Sequence, residues 1–195
     1  SLPVTRSCYA RNKRSPSLHV RQSESDQVPF HFQDSFRADF SMAPLILQTT
    51  GDDARDAVHR AVETLAAGGL VALPTETVYG IAAMALDTQA VDSLVAAKQR
   101  SSDQPVALAV ASAESVLDYV PGMSPLAERL ARRGWPGPLT LVLSVDHPDS
   151  AVNQLPEAVR DLVAPGGTTG FRVPDNDVAL SVLQLSAGPL VLSSA

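Results

Sequence analysis

The chain has 195 residues, 45% of them hydrophobic and 18% charged, with a net charge of −6; this balance suits one good-sized globular domain. No apolar run approaches the ~20 residues that span a bilayer, and a single cysteine, Cys8, excludes an internal disulfide framework. The charge is unevenly placed: residues 1–22 hold five basic side chains and no acid, whereas from Pro44 onward 9 Lys and Arg face 17 Asp and Glu, a balance of −8. An acidic body argues against broad, non-specific nucleic-acid binding but leaves room for a local basic groove.

Residues 1–43 are polar, with three prolines and no helical or strand period, and read as a disordered N-terminal extension. The Arg- and Ser-rich start resembles a transit peptide in composition without its amphipathic stripe. Translation starting at Met42 accounts for the same segment more simply. The domain itself is assigned to residues 44–195. Leu45-Ile46-Leu47 reads as a short strand. Asp52 to Ala67 is a helix with Val58, Ala61, Val62 and Leu65 on one stripe, ended by Gly68-Gly69. Leu70 to Leu73 is apolar throughout, so a strand covered on both faces is expected, stopped at Pro74. Thr75 to Gly80 reads as a polar turn, followed by a short connection. A helix follows over about Thr88–Ala97, burying Val91, Leu94 and Val95. Lys98, seven residues after Val91, projects from that stripe's side.

Val106 to Val110 reads as a central strand. Ser124 caps a helix with Pro125 at its first position and a basic last turn. Trp135-Pro136-Gly137-Pro138 breaks it, with Trp135 as a packing anchor. Strands over Leu139–Val145 and Thr169–Val173 flank a loop-rich stretch with a short helix near Glu157–Val163. Asn176 or Asp175 caps a helix through Leu185, and a strand begins at Leu190. Helices alternating with strands give an α/β fold, an open, twisted, mixed sheet with flanking helices in a single domain.

There is no Walker loop and no GxGxxG, the four histidines are scattered without metal-ligand spacing, and no nucleophile elbow is present. What remains is polar side chains at strand ends, where open α/β sheets gather ligands. Thr75 and Thr77 follow one strand, Arg172 lies within another, Ser193 and Ser194 end the last, and Lys98 and Arg100 close a helix. Such a set can hold a phosphate or a carboxylate. For Lys98 and Arg100, neutralising a helix C-terminus is the competing reading. Arg172, in an otherwise apolar strand, requires a partner.

Five blocks then stand in order: PTETVYG at Pro74–Gly80, AAKQR at Ala96–Arg100 with Gln104-Pro105 behind it, WPGPLTLVL at Trp135–Leu143, FRVP at Phe171–Pro174, and GPLVLSSA at Gly188–Ala195. Together they resemble the YrdC-like family, the L-threonylcarbamoyladenylate synthases. The resemblance implies a YrdC/RibB-like fold and a nucleotidyltransferase that joins L-threonine, bicarbonate and ATP, with Mg²⁺, into threonylcarbamoyl-AMP and pyrophosphate. The product would feed threonylcarbamoyladenosine formation in tRNA, through a downstream tRNA-modifying transferase, in the cytoplasm. Some members of the family bind tRNA or double-stranded RNA.

By resemblance, Lys98, Arg100 and Ser194 match three members of the family's Lys-x-Arg…Ser-x-Asn tetrad. Arg100, Gln104, Thr140 and Ser194 would contact ATP, and Thr77, Tyr79 and Arg172 threonine; no metal-ligating residue is assigned. Three departures stand out. Ser101 occupies a position that is often Pro. Ala109 stands where many members have a His associated with threonine. The sequence stops at Ala195, one residue before the expected Asn, as a C-terminal truncation would leave it. A non-catalytic RNA-binding module of the same fold, or a paralogue with carbamoyl-adenylate chemistry on another acceptor, are the alternatives.

Overall fold

The computed structural model describes residues 7–10, 44–49, 53–99 and 105–195. An eight-stranded sheet runs through them in the order β2-β1-β3-β4-β8-β5-β7-β6. Its strands are β1 (Ser7–Ala10), β2 (Leu45–Gln48), β3 (Val71–Leu73), β4 (Gly80–Met84), β5 (Ala107–Ala109), β6 (Leu141–Ser144), β7 (Thr168–Arg172) and β8 (Leu190–Ser194). Only the β5–β7 pair is parallel; every other pair is antiparallel. The mixed, open α/β sheet expected from the sequence is therefore present, with five α-helices around it: α1 (Asp53–Ala66), α2 (Thr88–Ala97), α3 (Pro125–Gly134), α4 (Glu157–Val163) and α5 (Asp177–Leu185).

The helices begin and end where local chemistry dictates. Asp87 caps α2 by accepting from the N–H groups of Gln89 and Ala90, Ser124 caps α3 from Ala127, and Asn176 caps α5 from Val178 and Ala179, satisfying donors that have no partner inside the helix. Gly68 ends α1 in the left-handed region at φ +73°, where a Cβ would be strained.

Two strands depart from the sequence reading. Residues 7–10, within the segment read as lacking a strand period, form β1, which pairs with β2 and β3; the rest of 1–43 lies outside the described residues. Gly80 to Met84, read as a turn and connection, is β4, the link between β3 and β8. Its sequence, Gly-Ile-Ala-Ala-Met, has no polar/apolar alternation and little β-branching, the two signals by which strands are read. Both of its faces are covered by other elements, so small residues suffice.

Because side chains alternate along each strand, the pairing assigns every residue to a face. On one face Ala83, Leu108, Phe171 and Val191 join a core with Val91 and Leu94 of α2, Ala127 and Ala131 of α3, and Val159 and Val163 of α4. On the other, Val71, Leu73, Ala82, Met84, Ala109 and Leu190 pack against Val58, Ala61 and Leu65 of α1 and Val182 and Leu183 of α5. The helices on this second face cover only part of it. On the same face Gly80, Ser194 and Ala107, and Arg172 beside Ala109 on the neighbouring strand, line a hollow outside these helices. Helix α3 turns Ala127 and Ala131 inward and leaves Leu126 and Leu130 59% and 43% exposed.

Candidate active site

The uncovered end of the sheet carries a pocket of about 70 Å³ lined by Thr75, Val78, Gly80, Ala107, Ala109, Thr140, Arg172, Leu192 and Ser194. Register explains the set. Gly80 lies opposite Ser194, Ala107 opposite Leu192, and Ala109 opposite both Leu190 and Arg172, so all point to one side. The floor is made of small residues. A Cβ on Gly80 would come within 2.7 Å of Leu192 Cδ1, so a larger residue there would displace the Leu192 side chain. Thr140 is delivered by the Trp135–Pro138 turn. The buried Trp135 donates its indole N–H to Leu139 O at 2.7 Å, and Gly137 N–H bonds Val173 O at 2.8 Å. These two bonds fasten the start of β6 to the exit of β7, which carries Arg172.

Arg172 finds the partner its place in the sheet demands, 96 positions away in sequence: Nη2 donates to Glu76 Oε1 at 2.7 Å, and the two side chains are only 18% and 17% exposed. The same Nη2 donates to Thr77 Oγ1 at 2.9 Å. The other carboxylate oxygen of Glu76 accepts the N–H of Asp175 at 3.1 Å. Glu76 thus ties the loop after β3 to the chain leaving β7. Burial pushes the Glu76 carboxyl up, but the Arg172 hydrogen bond, the backbone N–H groups of Glu76 and Asp175 and the Arg172 charge together bring it below its ordinary range.

The loop itself is wound around Thr75. Its hydroxyl donates to Val78 O at 2.5 Å and accepts from the N–H groups of Thr77 and Val78, a side-chain turn that substitutes for backbone pairing. Thr75 Oγ1 also lies 3.1 Å from Thr77 Oγ1. Thr75 spends its one proton on Val78 O and its two lone pairs on the N–H groups of Thr77 and Val78, so the Thr77 hydroxyl proton is not committed to it. Thr77 Oγ1 accepts from Arg172 and keeps a hydroxyl proton of its own. The cluster offers a guanidinium cation beside a hydroxyl acceptor, a pair that suits a ligand with an anionic group next to a donor.

The candidate residues are placed as follows. Thr77 and Arg172 are in direct contact, and Arg172, Thr140 and Ser194 share the pocket. Tyr79 is outside its lining, and the Tyr79 carbonyl accepts the N–H of Ala195 at 2.8 Å. Lys98 is half-buried at the C-terminal cap of α2, its N–H on Leu94 O at 3.1 Å, and does not line the pocket. Arg100 and Gln104 lie outside the described residues. Glu76 was missed from the sequence. The signal available was that Arg172 needed an acid, and Glu76 stands between two threonines already singled out.

An open α/β sheet with a cation-bearing pocket is the arrangement in which α/β proteins gather small ligands at strand ends. The chain belongs to the Sua5/YciO/YrdC family, whose model, described as telomere recombination, matches residues 63–195. It is 42% identical over 130 residues to the threonylcarbamoyl-AMP synthase of Pyrococcus abyssi, covering 66% of this chain and 35% of that protein. It is 41% identical over 135 residues to a putative threonylcarbamoyl-AMP synthase of Mycobacterium tuberculosis, covering 69% and 58%. Among solved structures it resembles P. abyssi Sua5 complexed with L-threonine, with a TM-score of 0.61 and 36% identity over 71% of this chain and 38% of that one. The chain thus spans between about a third and three fifths of these relatives' length. Among the described residues no helix is long and apolar enough to cross a membrane.

Proposed function

We propose that the protein is an L-threonylcarbamoyladenylate synthase, a nucleotidyltransferase that makes threonylcarbamoyl-AMP and pyrophosphate from L-threonine, bicarbonate and ATP. The observation that carries this reading is Arg172 held beside the acceptor Thr77 on the open face of the sheet, in a chain 42% identical to a protein bearing that name. Arg172 and Thr77 would receive the carboxylate and a donor group of threonine, with Tyr79 near the same end. Thr140 and Ser194, across the pocket, would meet the nucleotide together with Lys98, Arg100 and Gln104.

The threonine amine and bicarbonate condense to a carbamate with loss of water. A carbamate oxygen then attacks the α-phosphorus of ATP, and the bond to the pyrophosphate breaks. Mg²⁺, expected from the resemblance, would neutralise the charge of the triphosphate. The work of the chain would be positioning and charge stabilisation by Arg172, Lys98 and Arg100. The product would pass to a tRNA-modifying transferase in the cytoplasm.

The test is direct. The chain incubated with ATP, bicarbonate and L-threonine is expected to form threonylcarbamoyl-AMP, detected by mass, with matching pyrophosphate. Pyrophosphate release indifferent to threonine would overturn the reading, and product formed only with another amine would assign the paralogue chemistry instead.

A further inference from the structure

We propose that Glu76 is a positioning residue, one that sets which end of the Arg172 guanidinium is offered to the substrate. The proposal deepens the synthase reading and rests on it for the identity of the ligand. A guanidinium carries five N–H donors in a planar fork. Here both protons of Nη2 are engaged, one by Glu76 Oε1 and one by Thr77 Oγ1. Nε is buried and meets no partner. Among the described residues no side chain engages Nη1, so Nη1 is the end of the fork left for the pocket that Arg172 lines. The anion is then met end-on by a single nitrogen, where a free guanidinium would offer a bidentate edge.

Two features separate this from simple charge neutralisation. A carboxylate that only balanced Arg172 could spend both oxygens on the fork. Glu76 spends one on Nη2 and the other on the backbone N–H of Asp175. It is thereby fixed to the chain just beyond β7 and cannot follow the guanidinium if that group turns. Moreover, the second Nη2 proton falls on Thr77, whose hydroxyl lies 3.1 Å from that of Thr75. Turning the fork would break the Glu76 bond and also remove the donor that orients the acceptor at Thr77. One carboxylate thereby holds the donor and the acceptor of the proposed threonine site in register.

Replacing Glu76 by Gln keeps the shape but leaves one oxygen for two donors, so either Nη2 or the Asp175 N–H loses its acceptor. Glu76→Gln is expected to raise KM for L-threonine about tenfold or more, the usual consequence of losing a charge-assisted contact, while kcat and KM for ATP stay within about threefold. Glu76→Asp, which keeps the charge, should recover part of the threonine KM. Nitrogen-15 spectra of the Arg172 side chain, assigned with Arg172→Lys, should show slow guanidinium rotation in the parent protein and fast rotation in Glu76→Gln. Unchanged threonine KM with unchanged rotation overturns the proposal. So does an equal fall in kcat/KM for ATP and threonine, which marks a general structural effect. Should Glu76→Gln fail to fold, Glu76→Asp decides by the same two measurements. Should the parent protein form no threonylcarbamoyl-AMP, the synthase reading fails, and the rotation measurement alone decides whether Glu76 holds Arg172.

Discussion

Phe171 and Arg172 are neighbours on β7 and serve opposite halves of the molecule. Phe171 is completely buried between the sheet and the helices of its closed face, its ring 5.7 Å from that of Tyr119. Arg172, one residue on, points to the other face, into a hollow lined by Gly80, Ala107 and Ala109. The backbone is the same, and the difference lies in what covers it. Where helices close the sheet, residue size sets stability; where they stop short, small residues make a hollow and the polar side chains around it can reach a ligand.

The largest expected effect falls on the closed side. Phe171→Ala should cost folding about 3–5 kcal/mol, as truncation of a buried aromatic does, read as a lower urea midpoint. If the folded fraction still turns over substrate normally, the two faces are energetically separate. Arg172→Ala should do the reverse. It leaves Glu76 without its cation and should cost folding only about 1–3 kcal/mol, but the threonine-dependent reaction should fall by about 100-fold or more through loss of a charge-assisted contact. Equal losses of stability from the two variants would erase the distinction between the faces.

A smaller effect is expected at the floor of the hollow. Ala107→Leu adds carbon to a pocket of about 70 Å³ open to solvent. It should raise KM for threonine or ATP by about tenfold, with stability changed by less than about 0.5 kcal/mol. A drop in stability comparable to that of Phe171→Ala would mean that this end of the sheet is packed like the other.

The closed half was also the more legible in sequence. The α1 stripe of Val58, Ala61 and Leu65, the Ser124-Pro125 start of α3 and the Asn176 cap of α5 are local signals, and each element forms where they place it. Local signals failed at β4, because Ala82 and Ala83 are small where two faces close on the strand, and small residues carry no period. In α3 the leucines at 126 and 130 would ordinarily mark the buried side. The helix instead approaches the core through Ala127 and Ala131, and nothing within ten residues reveals that. The open half was legible only as a list of polar residues at strand ends. That Arg172 required an acid followed from burial cost, but the identity of the acid did not, since 96 residues separate the pair and only the β3–β4–β8–β5–β7 order brings them together. Thr75 and Thr77 were visible as hydroxyls; that Thr75 directs its proton at Val78 O was not.

The smallest effect expected distinguishes the halves by pH. Glu76 titrates below its ordinary range in the folded protein, because the opposing cost of its burial is outweighed by the bonds from Arg172 and from backbone N–H groups. A depressed carboxyl binds fewer protons folded than unfolded, so it contributes stability above the unfolded carboxylate pKa and loses that contribution as pH falls through the lower, folded value. The urea midpoint of the parent protein should therefore exceed that of Glu76→Gln by a constant amount at neutral and mildly acidic pH. The gap should narrow only once the pH drops below the ordinary carboxylate range. Phe171→Ala removes no titrating group, and its gap from the parent should stay level over the same window while both remain folded. A Glu76→Gln gap that stayed equally level would mean that the carboxylate on the open face stabilises through its shape alone, and its charge would no longer distinguish that face from the apolar one behind it.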